Sequence, residues 1–257
     1  MPLGKLRILF FILMTVPVMP AALHAAPLAA QDQALFEQAN KLYEDGKYKE
    51  SSAAYETLKQ KYPREAAFPY NLGNSLFRAG QMGPSLLAYE RALRLSPRDK
   101  DIRANLEHVR GLLEYRIEDK RNWYIRAGEN VLGHLRDEEV FFLVLLIYLI
   151  ALVTAFFCLA FRRGDPWGWW RKTLLGLLVF GLGLAAVKHF DSDIMKDAIV
   201  IAKEAEVHYG PSVGDQVAFR LGEGLKVYVV DTRRDWSRIS LVNHEGGWVK
   251  NSDIAQV

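Results

Sequence analysis

The chain has 257 residues and a formal net charge of +3, from 33 basic and 30 acidic side chains, without the concentrated basic face that a nucleic-acid binder presents. Half of the residues are hydrophobic, and they gather in three blocks that leave two polar stretches, each too short for a large enzyme core. The single cysteine, Cys158, excludes an intrachain disulfide and lies in an apolar run, where it reads as a small buried hydrophobe.

Residues 1–26 have the plan of a secretory signal peptide: Lys5 and Arg7, an apolar stretch from Ile8 to Met19, then small residues with cleavage expected after Ala25, Ala26 or Ala30. The stretch is short for a membrane span and is broken by Pro17 and Pro20. An uncleaved N-terminal anchor is the alternative, and both readings predict export of the chain from residue 31 onward.

From residue 34 the chain repeats itself with a period of 34 residues. Asn40 aligns with Asn74, Leu42 with Leu76, Gly46 with Gly80, Ser51 with Ser85, Ala54-Tyr55-Glu56 with Ala88-Tyr89-Glu90, and Pro63-Arg64 with Pro97-Arg98. Each unit carries two amphipathic helical segments. Glycine is placed where the first helix must end and proline where the second one does. Pro69 predicts a late start for the first helix of the second unit. A third copy begins at Asp99, loses its glycine and proline, and reads as a capping helix, with Asn105 placed 34 after Asn71. The period and its punctuation resemble the tetratricopeptide repeat. The resemblance implies an α-helical solenoid over 31–115, with a concave groove lined by the first helix of each unit. Phe36, Asn40, Tyr70, Asn71, Asn74 and Arg78 are the candidate peptide-binding residues, with Glu44 and His108 at equivalent positions. The competing reading of the two asparagines is that they face water.

A linker at 116–138 leads to VFFLVLLIYLIALVTAFFCLAF, an uncharged run ending at Arg162-Arg163. A second apolar run, glycine-rich, starts at Thr173. These predict transmembrane helices at 139–162 and 173–190 around a loop at 163–172. The loop carries Arg162, Arg163, Arg171 and Lys172 against Asp165, which predicts that it is cytoplasmic and that both soluble parts face the outer, periplasmic side of the inner membrane.

Residues 191–257 alternate short apolar runs with turns (AIVI, AEVH, QVAFRL, LKVYVVD, SRISLV, GGWVK), which predicts a small all-β barrel. Gly210-Pro211-Ser212-Val213-Gly214 fits G-x-S-x-G, but a short strand comes after it where a nucleophile elbow needs a long helix, so Ser212 is read as a turn residue. The order of Gly210-Pro211-Ser212, Leu221-Gly222-Glu223-Gly224, Trp236-Ser237-Arg238-Ile239 and Gly247-Trp248-Val249 resembles the bacterial SH3-like domain. That resemblance implies a protein or cell-wall ligand, with Tyr209, Trp236 and Trp248 as candidate contacts. Tyr209 stands where the family often has arginine, and packing of Trp248 and a second aromatic in the core is the competing reading.

The expected fold class is therefore multidomain: a tetratricopeptide solenoid, two transmembrane helices and an SH3-like barrel. This layout resembles the BatE-type membrane tetratricopeptide proteins of bacterial aerotolerance (Bat) operons. The resemblance implies a membrane-anchored scaffold in an envelope complex with von Willebrand factor A-domain membrane proteins and, indirectly, a MoxR-type ATPase. The alternative is an envelope sensor that binds peptidoglycan through the SH3-like domain. No nucleophile, metal-ligand spacing or cofactor loop is legible, so neither enzyme activity nor a metal or cofactor is expected.

Overall fold

The computed structural model describes residues 28–113, 122–123, 127–128, 137–160, 176, 179, 181, 183 and 196–257. The expected signal segment, the loop at 163–172 and nearly all of the second apolar run lie outside the described residues.

Among the described residues five helices come first: α1 (Ala30–Glu44), α2 (Tyr48–Lys61), α3 (Ala67–Arg78), α4 (Met82–Leu95) and α5 (Lys100–Leu112). Each packs against the next in chain order. Gly46 and Gly80 both have φ of +77°, a left-handed conformation that ends α1 and α3. The next amides along the chain close the same bond in both units, Lys47 N–H to the Leu42 carbonyl at 2.8 Å and Gln81 N–H to the Leu76 carbonyl at 2.9 Å. Pro63 and Pro97 lie just past the ends of α2 and α4. Helix α3 begins at Ala67, ahead of Pro69, because a proline in the first turn gives up no intrahelical bond. Asp99 caps α5, its carboxylate accepting from the amides of Asp101 at 2.9 Å and Ile102 at 3.2 Å. Tyr55, Leu58, Phe68 and Leu72 fill the space between the first helix pair and α3.

The C-terminal part is one seven-stranded antiparallel sheet of order β3-β2-β6-β5-β4-β1-β7. Its strands are β1 (Lys196–Val200), β2 (Glu204–His208), β3 (Val217–Gly222), β4 (Lys226–Arg233), β5 (Trp236–Ser240), β6 (Gly246–Lys250) and β7 (Ile254–Gln256). Every strand contributes to one apolar cluster, including Val200, Val207, Leu221, Val227, Ile239, Val249 and Ile254. The sheet is open. Strands β3 and β7 are its two edges, which corrects the closed barrel expected from the alternating runs. Periodicity reports which face of a strand is buried, and it carries no information on whether the edges meet.

Strand β1 is buried on both faces. Ala198 and Val200 belong to the sheet's own core, while Ile199 packs among Leu86, Leu87, Tyr89, Leu106 and Val109 of α4 and α5. The helices and the sheet, expected from the sequence to be separate domains, thus share an apolar cluster.

A sixth helix, α6 (Asp137–Ala160), comes after the helical array, and Arg98 reaches its first turn by an ion pair with Glu139 at 2.9 Å. Among the described residues, no helix is long and apolar enough to cross a membrane. This overturns the expectation of two transmembrane helices, and with it the membrane anchoring and the inner-membrane localisation with both soluble parts on the periplasmic side. Those expectations rested on unbroken hydropathy and on the charges of the intervening loop.

Candidate functional site

The same two pins recur in both helix pairs. In the first, the Tyr55 hydroxyl donates to Asn40 Oδ1; in the second, Tyr89 donates to Asn74 Oδ1 at 2.7 Å. Burial pushes the Tyr55 hydroxyl up to about 12 and raises that of Tyr89 as well. Both phenols therefore keep their protons, and both asparagines must turn Oδ1 inward. Below them, Ser51 Oγ donates to the Ala39 carbonyl at 3.0 Å and Ser85 Oγ to the Gly73 carbonyl at 2.8 Å. Gly73 lets the two helices of the second pair approach closely: a Cβ there would stand 2.7 Å from the Tyr89 ring.

With Oδ1 committed, the Nδ2 groups of the half-buried Asn40 and Asn74 are the donors left for a bound backbone carbonyl. Around Asn74 the arrangement is denser. Asn105 Nδ2, from α5, donates to Asn74 Oδ1 at 3.0 Å and to the Tyr70 hydroxyl at 3.1 Å. Three helix-borne polar groups, Tyr70, Asn74 and Asn105, thus form one network. Asn71 is half-buried beside it, and its carbonyl accepts from Ser75 Oγ at 2.9 Å. His108 lies edge-on to Phe77 at 5.8 Å.

Two candidate residues stand apart from this network. Arg78 is exposed at the end of α3 and points to the first pair: its Nη2 donates to the Tyr48 hydroxyl at 2.7 Å, and its guanidinium lies 5.1 Å from the Tyr48 ring centre. Phe36 packs inward, edge-on to Tyr55 at 6.2 Å and to Phe68 at 6.0 Å. Its role in the structure is to join α1 to the core, and Glu44, at the end of α1, is exposed.

One concavity was not legible in the sequence. A cleft of about 330 Å³ opens between α2 and α4, floored by Leu72, Leu76 and Leu87. Glu56 and Arg91 stand on its rim, and Lys59 bonds Glu56 at 2.6 Å. Burial works against the Glu56 charge, but the hydrogen bonds from Lys59 and Gln60 outweigh it and hold its carboxyl below the usual range. Residues three apart on one helix signal such an ion pair, but the cleft itself depends on the spacing between two non-adjacent helices.

In the sheet, Trp236 and Trp248 are buried and His208 stands against the Trp236 ring at 5.1 Å. Arg233 covers the Trp248 ring at 5.2 Å. Of the three aromatic candidates only Tyr209 is open, at 70% exposure. Ser212 lies in the exposed turn between β2 and β3, where its Oγ accepts from Gly214 N–H at 3.3 Å and its carbonyl from Asp215 N–H at 3.1 Å. Strand β3 comes next, so the strand-to-helix geometry of a nucleophile elbow is not formed there. Among the described residues no group of His, Cys, Asp and Glu side chains is placed to hold a metal ion.

No protein-family model matches the chain, and no curated protein matches it.

Proposed function

We propose that this chain is a protein-interaction scaffold whose first-helix face, on α1, α3 and α5, binds an extended segment of a partner protein. The observation that supports this reading is the pair of Asn–Tyr pins, repeated at the same 34-residue spacing, which commit Oδ1 of two side-chain amides and leave Nδ2 of each as the donor. A buried phenol that fixes an amide on a half-exposed helix face costs conformational freedom and gains specificity for a backbone carbonyl at a defined spacing. Tyr70 and Asn105 extend the same polar surface onto α5. The resemblance to Bat-operon tetratricopeptide proteins supplies the partner class, von Willebrand factor A-domain proteins.

The test uses Asn40→Asp/Asn74→Asp, which keeps the oxygen that accepts from tyrosine and removes the Nδ2 donor. The full chain and the double variant are compared for binding to a purified von Willebrand factor A-domain protein. A loss of about tenfold in affinity, equivalent to ~1.4 kcal/mol, with an unchanged melting temperature supports the reading. Equal affinity removes the asparagines from the site, and no binding by the wild type removes the partner class.

A further inference from the structure

The helical array and the sheet meet along a built interface. Two glycines make its closest approaches. A Cβ on Gly83, in the first turn of α4, would stand 2.6 Å from the Val200 carbonyl oxygen and 3.1 Å from Ile201 Cα. A Cβ on Gly224, in the turn between β3 and β4, would stand 2.6 Å from Leu86 of α4 and 2.9 Å from Leu113 at the end of α5. Backbone therefore meets backbone at Gly83 and core side chains at Gly224.

Polar groups close the seam. Helix α4 has no side-chain cap of its own at Gln81. Its free first-turn amide at Gly83 instead donates to Glu223 Oε1 at 2.7 Å, from the turn that also carries Gly224. At the other end of α4, Arg91 donates to the Gln256 carbonyl at 2.6 Å, and Arg94 to the Val257 carbonyl and to Asp197, both at 3.1 Å. Asp197 also holds Lys226 at 2.8 Å. The sheet thus grips α4 at both ends, and Ile199, Ile201, Ala255 and Val257 pack between them onto the cluster that includes Leu106 and Val109 of α5 and Leu113 just past its end.

Helix α5 therefore has two duties. One face is pressed into the cluster shared with the sheet. Another delivers Asn105 to Tyr70 and Asn74. We propose that docking of the sheet on α4 and α5 sets the polar network of the first-helix face, so that the sheet and the groove form one coupled device. Whatever draws the sheet away loosens Asn105, and a segment that fills the groove holds the sheet in place, by the reciprocity of linked equilibria. The functional meaning rests on the groove reading above, but the coupling itself is read without any partner.

The experiment is amide hydrogen exchange and side-chain amide spectroscopy on the full chain, for the wild type, Gly83→Ala and Glu223→Ala. Gly83→Ala wedges α4 from the sheet; Glu223→Ala removes the cap and enters no core. Exchange across α5 is expected to accelerate about tenfold in either variant, with α1 and α2 unchanged, and the Asn105 side-chain amide resonances are expected to shift. Faster exchange in β1 with α5 and Asn105 unchanged would overturn the coupling, because the array would then set its own network. Equal acceleration from α1 to α5 in both variants would overturn it too, because the array would then melt as a whole.

Discussion

A tyrosine and an asparagine fifteen positions apart recur in both helix pairs, and the hydroxyl of each tyrosine does the same work. Tyr89 donates to Asn74 at 2.7 Å, and the two are half of a network that includes Asn105 and Tyr70. A neutral hydrogen bond of this kind contributes about 0.5–1.5 kcal/mol. Tyr89→Phe is expected to lose about 1 kcal/mol in denaturant unfolding, and Asn74→Ala a similar amount. The double variant is expected to lose less than the sum, with a coupling of at least ~0.5 kcal/mol. Strict additivity would show that the pin carries no energy. The sequence made the positions visible, because the identities at 40/74 and 55/89 fall at one period. It did not show that the two columns are partners, since their separation is set by the angle between two helices and not by either helix alone.

Helices α1 and α2 are tied at their far ends by Asp32. Its two oxygens lie 2.7 and 2.6 Å from Lys61 Nζ, and the Tyr62 hydroxyl donates to it at 2.7 Å. The hydrogen bond from Lys61, then that from Tyr62, holds the Asp32 carboxyl below its usual value of 3.8. A carboxyl whose pKa falls on folding contributes stability that is full above its unfolded pKa, about 3.9, and is lost as pH falls through the lower folded value. The same bonds raise Lys61 and Tyr62, so their share is full below about pH 10 and is lost as pH rises through the raised values. Amide exchange in the first turn of α1 is expected to accelerate below about pH 4, and Asp32→Asn should exchange faster at about pH 7 but without that acid step. An acid step of the same size in the variant would assign it to other carboxylates. The helices themselves were legible from apolar spacing, glycine and proline. The tie was not, because Asp32 precedes the first repeated position. The cap of α4 was equally hidden, because Glu223 stands 140 positions away.

At the scale of the molecule, hydropathy and alternation located the apolar runs and the strands, but three-dimensional closure escaped both. The alternating segments predict a barrel, and the strands form an open sheet, because edge-to-edge pairing depends on coiling and register that no single strand records. One signal of the larger assembly was present. AIVI at 198–201 is apolar at successive positions, which is how a strand buried on both faces reads. Ile199 and Ile201 are the residues that meet the helices. This predicts two kinds of core position in the array. Leu58 and Leu86 are both almost fully buried, Leu58 among α1, α2 and α3, Leu86 in the cluster shared with β1. Truncation to alanine is expected to cost about 2–5 kcal/mol at either site. The distribution of the loss should differ. Leu86→Ala removes contacts that the sheet uses, so exchange at Ile199 and Val200 of β1 should accelerate together with α4 and α5. Leu58→Ala is expected to loosen α1 to α3 and leave β1 at its wild-type rate. If both variants accelerate β1 equally, the array and the sheet unfold as one undivided unit. If neither does, the shared cluster contributes little to holding the sheet, and its attachment rests on Glu223 and the Arg91 and Arg94 contacts alone.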